Sequence, residues 1–296
     1  MTLPDPIFII ALPKSYTSVF SAMLGQHPDL VAVPELNVFV GETVLDWANQ
    51  PFNRALCDGL LRTVAQLVFG SQTVGTVAQA LEWLQARSAW SGSQVMDHLR
   101  GIVAPAALID QSPAYSTKPA ILYRILSAYP RARFIHMTRN PTTWQKSIEA
   151  WGQTGRNILE LFCEPDAGTG LPTDPISIWH ETNVGIGSFL GGLGADRYLR
   201  IMGEDTITRP DDTLRRVLEW LDLPVDAAIL TAMHATEASV FAGMGPPNAR
   251  LGNNPDFLAS PALRTRTDRD AIVRINLTTI PLPAEVLSYA RSIGYT

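Results

Sequence analysis

Residues 7–12, IFIIAL, are apolar without interruption and lie between prolines. A short run of this kind predicts a strand buried on both faces. After the loop PKSYTS comes VFSAMLGQHPD, whose apolar residues recur at helical spacing, so the chain opens as a βα unit. LVAV (30–33), AALID (106–110), ARFIHMT (132–138) and RYLRIM (197–202) supply the further strand patterns. Residues 42–104 are different: Trp47, Leu56, Leu60, Leu61, Val64, Leu67, Leu81, Leu84 and Leu99 repeat at helical spacing with no convincing strand. They predict a helical cap insertion. TLRRVLEWLDLP (213–224) reads as an amphipathic helix stopped at Pro224, and 243–257, rich in Gly, Pro and Asn, as a loop. Strands alternating with helices give an α/β fold with a mainly parallel central sheet flanked by helices, in one domain spanning 1–296.

Composition narrows the partners. A net charge of −5 argues against a general nucleic-acid binder. The apolar run near the N-terminus has no basic residues before it and is too short to cross a bilayer, so the expectation is a cytoplasmic protein with no membrane partner. Cys57 and Cys163 lack metal-ligand spacing and read as reduced thiols. No metal site is expected.

Candidate chemistry begins where the first strand ends. In open α/β sheets ligands bind beyond the carboxyl ends of the strands, and a loop feeding a helix there offers amide N–H groups and a positive dipole end. Pro13, Lys14, Ser15, Tyr16, Thr17 and Ser18 occupy that loop, with one cation and three hydroxyls. The sequence is not a Walker A motif, which requires G-x-x-x-x-G-K-[ST]; helix capping by Ser15 or Thr17 is the plain alternative. A second anion site follows the strand 132–138: Arg139, then Asn140-Pro141 opening a helix, with Ser147 about two turns along.

These two motifs resemble the 5′-phosphosulfate loop, P-[RK]-S-G-T-[ST], and the 3′-phosphate motif, R-[ND]-P-x(5)-S, of sulfotransferases that use 3′-phosphoadenosine 5′-phosphosulfate (PAPS). The likeness extends to HPDLVAVPELNVF (27–39), DQSPAY (110–115) and residues 194–224, and is greatest to the sulfotransferase domains of bacterial polyketide synthases, which share PELN (34–37) and the pattern Ile178, Trp179, Thr182, Asn183. Four positions depart from the family pattern: Tyr16 stands in place of glycine, Gln111 in place of lysine, Gly203 in place of tyrosine and His180 in place of arginine.

The resemblance implies a P-loop-like fold, PAPS as donor, 3′-phosphoadenosine 5′-phosphate (PAP) as product, and Pro13–Ser18, Arg139, Ser147 and Arg250 as donor-binding residues. Lys14 is expected to neutralise the leaving phosphate and Glu35 to serve as general base, with His180 and His234 as rival bases. Asp110 is expected to orient the acceptor or Lys14. The acceptor is a hydroxyl, or an amide nitrogen, on a small molecule or on an intermediate held by an acyl or peptidyl carrier protein. The aromatic residues Trp47, Phe52, Trp83 and Trp90 fit either an apolar acceptor or simple core packing. A P-loop-type kinase with Asp110 as magnesium ligand and a non-catalytic nucleotide-binding protein are the alternatives.

Overall fold

A computed structural model describes residues 3–49, 53–152, 174–278 and 280–296, with backbone alone for 53–56. Cys163 and Phe52 lie outside the described residues. Five strands, β1 Ile7–Ile10, β2 Leu30–Val33, β3 Ala107–Asp110, β4 Arg133–Thr138 and β5 Tyr198–Met202, form one sheet in the order β2-β3-β1-β4-β5. Every pairing is parallel. All strand carboxyl ends therefore point the same way, and the loops that leave them share one edge.

Alternation along β1 explains the two layers of core. Phe8 and Ile10 join Phe134 and residues 60–99 in one apolar cluster, whereas Ile7 and Ile9 join Ile109, Ile135 and Met137 in another on the opposite face. The second face is covered by α1 (Thr17–Leu24) and by the helices Pro210–Trp220 and Ala227–Met233. The first is covered by α2 (Val44–Ala48), α3 (Asn53–Phe69), α4 (Val74–Gln85) and α5 (Gly92–Val103), which together connect β2 to β3. Trp47 is buried there, while Trp83 and Trp90 pack edge to face at its margin, 5.6 Å between centroids. A third cluster joins α7 (Pro141–Gly152) and α8 (Pro175–Gly191) to the C-terminal helix Ala284–Ser292.

Besides shifts of a residue or two, as where β1 ends at Ile10 and α1 begins at Thr17, two elements differ from the sequence reading. The helix expected over 213–224 starts at Pro210, where proline is at home in a first turn, and ends at Trp220. Asp222, in the left-handed region at φ 59°, breaks it before Pro224 is reached. The loop 243–257 is also not loop throughout: Pro255–Ala259 is helical, with Asn254 accepting from the Asp256 amide as its N-cap.

Candidate functional site

The β1–α1 loop is held in two left-handed conformations, Lys14 at φ 64° and Tyr16 at φ 66°. Side chains reach this region at a cost, and such residues concentrate at functional sites. Tyr16 is the N-cap of α1, and no side chain caps the helix, so neither Ser15 nor Thr17 has the capping role. The positive end of α1 is thus left without a side-chain cap. Ser15 in the loop and Thr17 and Ser18 in the first turn of α1 are buried.

The structure joins the two sequence motifs directly. The Arg139 guanidinium donates to the Lys14 carbonyl, 125 residues away, and to Thr143 Oγ1 at 3.3 Å. It also lies over the Tyr16 ring, 4.9 Å from the centroid, a cation–π contact. Two buried indoles brace the junction: Trp144 on α7 donates to the Pro13 carbonyl and Trp179 on α8 to the Arg139 carbonyl, each at 2.8 Å. Asn140 caps α7, its Oδ1 accepting from the Thr142 amide at 3.0 Å. Its own amide donates to Glu204 Oε1 at 2.8 Å, and Tyr295 holds the other oxygen of this fully buried carboxyl at 3.1 Å. Burial pushes the Glu204 pKa up. Ser147 is half-buried further along α7.

A strap of chain crosses the loops. Arg62, fully buried, donates to the carbonyls of Leu251, Phe241 and Gly243 and to Gln72 Oε1, while the Leu251 amide donates to Asp58 at 2.7 Å. Three consecutive strap residues then meet the ends of three adjacent strands. The Gly252 carbonyl accepts from the Glu35 amide at 2.9 Å, just beyond β2. Asn253 Oδ1 accepts from Gln111 Nε2 at 3.1 Å, just beyond β3. The Asn254 amide donates to Ser18 Oγ at 3.3 Å and its Oδ1 accepts from Lys14 Nζ at 3.3 Å, beyond β1. Gly252 (φ 90°) is required in this row: a Cβ there would lie 2.5 Å from the Gly59 Cα. A Cβ on Gly59 would in turn lie 2.1 Å from the Glu35 carbonyl oxygen.

Lys14 Nζ also pairs with the carboxylate of Asp256 and sits 5.1 Å from the Trp151 ring centroid. Neither Asp256 nor Asn254 was visible as a Lys14 partner in the sequence. Asn254-Pro255-Asp256 is nevertheless a helix-start signature within what composition marks as loop.

Glu35 is half-buried beside β2. Desolvation, and then the neighbouring Asp110 charge, push its pKa up to about 8. Burial raises Asp110 less, to about 6, because its carboxylate accepts from Ser112 at 2.6 Å, Tyr115 at 2.7 Å and the Leu36 amide at 3.3 Å. Asp110 was expected to orient the acceptor or Lys14; both of its oxygens are instead spent on this network, which fixes the 35–37 turn.

The remaining candidates lie elsewhere. His180 packs edge-on against Tyr289 of the C-terminal helix, centroids 5.6 Å apart. His234, at the end of Ala227–Met233, lies 2.8 Å from the Asp211 carboxylate. Neither contacts Lys14, Glu35 or Arg139 among the described residues. Arg250 is exposed on the strap, its carbonyl accepting from the Gly245 amide at 2.9 Å. His136 is a buried strand residue bonded to Asn183 at 3.1 Å, its pKa lowered to about 3 by burial and by Arg200.

A parallel sheet with a helix leaving the carboxyl end of β1, and with the loops after β1 and β4 joined through Arg139 and the Lys14 carbonyl, defines an α/β protein with its candidate site at the carboxyl edge of the sheet. Residues 6–227 match the sequence profile of the Sulfotransferase family, and the chain belongs to that family. Nodulation protein NoeE of Sinorhizobium fredii (strain NBRC 101917 / NGR234) is 22% identical over 241 residues, 79% of this chain and 54% of NoeE. The chain thus spans about half the length of that curated relative. The fold is that of the sulfotransferase domain from the curacin biosynthetic pathway (TM-score 0.79, 23% identity, 100% of this chain and 99% of that one). The sulfotransferase domain of the Synechococcus PCC 7002 olefin synthase is also similar (TM-score 0.74, 23% identity, 100% and 96%).

Proposed function

We propose that this sulfotransferase uses PAPS as donor and transfers its sulfuryl group to a hydroxyl, or an amide nitrogen, of a small or carrier-tethered metabolite. The observation that carries the reading is the junction of Lys14 and Arg139 at the start of α1. Chemically the site suits the donor: a first turn without a side-chain cap and the Lys14 ammonium for the 5′-phosphosulfate, and a guanidinium on an aromatic face for the 3′-phosphate. That the Lys14 ammonium here sits against a carboxylate is in keeping with affinity for an anion at that point.

In this reading PAPS supplies an activated sulfur, and the chain supplies position and charge. Lys14 and the α1 amides meet negative charge on the departing phosphate. Glu35 accepts the proton from the acceptor oxygen as the O–S bond forms and the bond from sulfur to phosphate breaks. A carboxylate with a pKa raised to about 8 is a stronger base than an ordinary glutamate. The fold shared with two biosynthetic-pathway domains supports a metabolite acceptor, and carrier presentation and a cytoplasmic setting belong to the same proposal. The kinase reading loses support because Asp110 already accepts three hydrogen bonds.

Calorimetric titration with PAP, with and without magnesium, tests the donor assignment. Magnesium-independent binding supports it; binding of magnesium-ATP in place of PAP overturns it.

A further inference from the structure

Gln111 follows the last residue of β3, and β3 lies between β2 and β1 in the sheet. Its side chain therefore starts between the proposed base, Glu35 beyond β2, and the proposed donor cation, Lys14 beyond β1. The strap repeats this order, since Gly252, Asn253 and Asn254 meet Glu35, Gln111 and Lys14 in turn.

Gln111 is fully buried, and the orientation of its amide is decided by its neighbour. Asn253 Oδ1 accepts from the Asn254 backbone N–H at 3.0 Å, so that atom is an oxygen. The Gln111 atom facing it at 3.1 Å must donate and is Nε2. Oε1 is thereby turned elsewhere, buried and without a hydrogen-bond partner among the described residues. A buried carbonyl oxygen without a donor is costly, and native proteins seldom leave one unused.

We infer that Gln111 Oε1, oriented by Asn253, is a specificity-determining contact that receives an N–H or O–H of the acceptor adjacent to the nucleophilic hydroxyl. This inference rests on the sulfotransfer reading and deepens it by naming the acceptor class: a neutral hydroxy compound carrying a second hydrogen-bond donor close by. The position agrees: Glu35 stands beyond the neighbouring strand β2, and a carbonyl oxygen such as Gln111 Oε1 favours a hydrogen-bond donor over an anionic group on the acceptor.

A matched pair of probes tests it: N-hexanoylethanolamine and 2-hydroxyethyl hexanoate present the same primary hydroxyl but differ by amide N–H against ester oxygen. With PAPS saturating, the parent protein is expected to show kcat/KM at least tenfold higher for the amide, because a site built around a hydrogen bond rejects the analogue lacking it. In Gln111→Met, of similar volume, that ratio falls toward one as KM for the amide rises, while PAP affinity stays within about twofold. Equal rates on the two probes in the parent overturn the inference without recourse to any variant. So does a ratio unchanged in Gln111→Met, or no transfer to either probe by a parent protein that binds PAP. Failure of the parent to bind PAP overturns the donor-site reading instead.

Discussion

The Tyr16 ring lies over Gly203, so close that a Cβ on Gly203 would stand 2.6 Å from Tyr16 Cδ2. In the sulfotransferase pattern that the sequence resembles, these positions carry glycine and tyrosine respectively. The two departures are in contact: the Tyr16 ring of the β1–α1 loop fills space that a side chain at 203 would need. The ring still has a task, since the Arg139 guanidinium rests on it.

This pairing predicts strong coupling between the positions. Gly203→Tyr alone should be destabilising, because its Cβ also meets the Ser15 and Thr138 carbonyl oxygens at 2.7 and 3.0 Å; overpacking of this kind costs about 1–3 kcal/mol. Tyr16→Gly/Gly203→Tyr should recover much of that loss, since glycine removes the ring and lets the loop backbone relax. Thermal unfolding of the two singles and the double measures the coupling. Simple additivity would separate the positions.

Removal of either cation should weaken PAP binding. Lys14→Ala and Arg139→Ala are each expected to lower PAP affinity at least tenfold in calorimetric titration, as befits charge-assisted contacts. Tyr16→Leu, which keeps bulk but not the aromatic face, should have a smaller effect in the same direction. Unchanged affinity in Lys14→Ala or Arg139→Ala would remove that residue from the donor site.

Glu35 should govern the pH response. As a base it acts when deprotonated, so turnover should rise with pH and level off above about 8, and Glu35→Gln should abolish turnover while PAP still binds. The effect on stability has the opposite sign. The folded carboxyl holds its proton more tightly than the unfolded one, so its contribution is complete below the ordinary glutamate value of 4.5 and is lost as pH rises toward 8. Across that window the parent should lose thermal stability relative to Glu35→Gln. Parallel melting curves at every pH would contradict the assignment.

How much of this was legible in the sequence depended on whether a signal was local. IFIIAL and ARFIHMT declare buried strands because both faces of a parallel sheet are covered, and the loops after them stand out as candidate sites because a cation beside a helix start is a local arrangement. Tyr16 against Gly203, Glu204 beneath Asn140, and the strap across Glu35, Gln111 and Lys14 join residues far apart in sequence. Composition marks 243–257 only as turn-rich, and says nothing of what it covers. Histidine attracted notice at 180 and 234 for its chemistry; in the fold these rings lie beside Tyr289 and Asp211, which the sequence did not show.

The strap depends on Arg62, and this gives a test of its attachment. Burial lowers the Arg62 pKa to about 10, still charged at neutral pH, and the guanidinium serves three strap carbonyls at once. Arg62→Met keeps the apolar stem but leaves those carbonyls without their donor, a loss of about 3 kcal/mol. Because the same strap carries Asn253 and Asn254, the variant should also weaken PAP binding by a few-fold through Lys14 and Ser18. Arg250, exposed on the strap, supplies the readout. Limited trypsin digestion should cut after Arg250 faster in Arg62→Met than in the parent at a temperature where both remain folded. Equal cleavage would mean that Asp58 and the Gly59–Gly252 backbone contact hold the strap without Arg62.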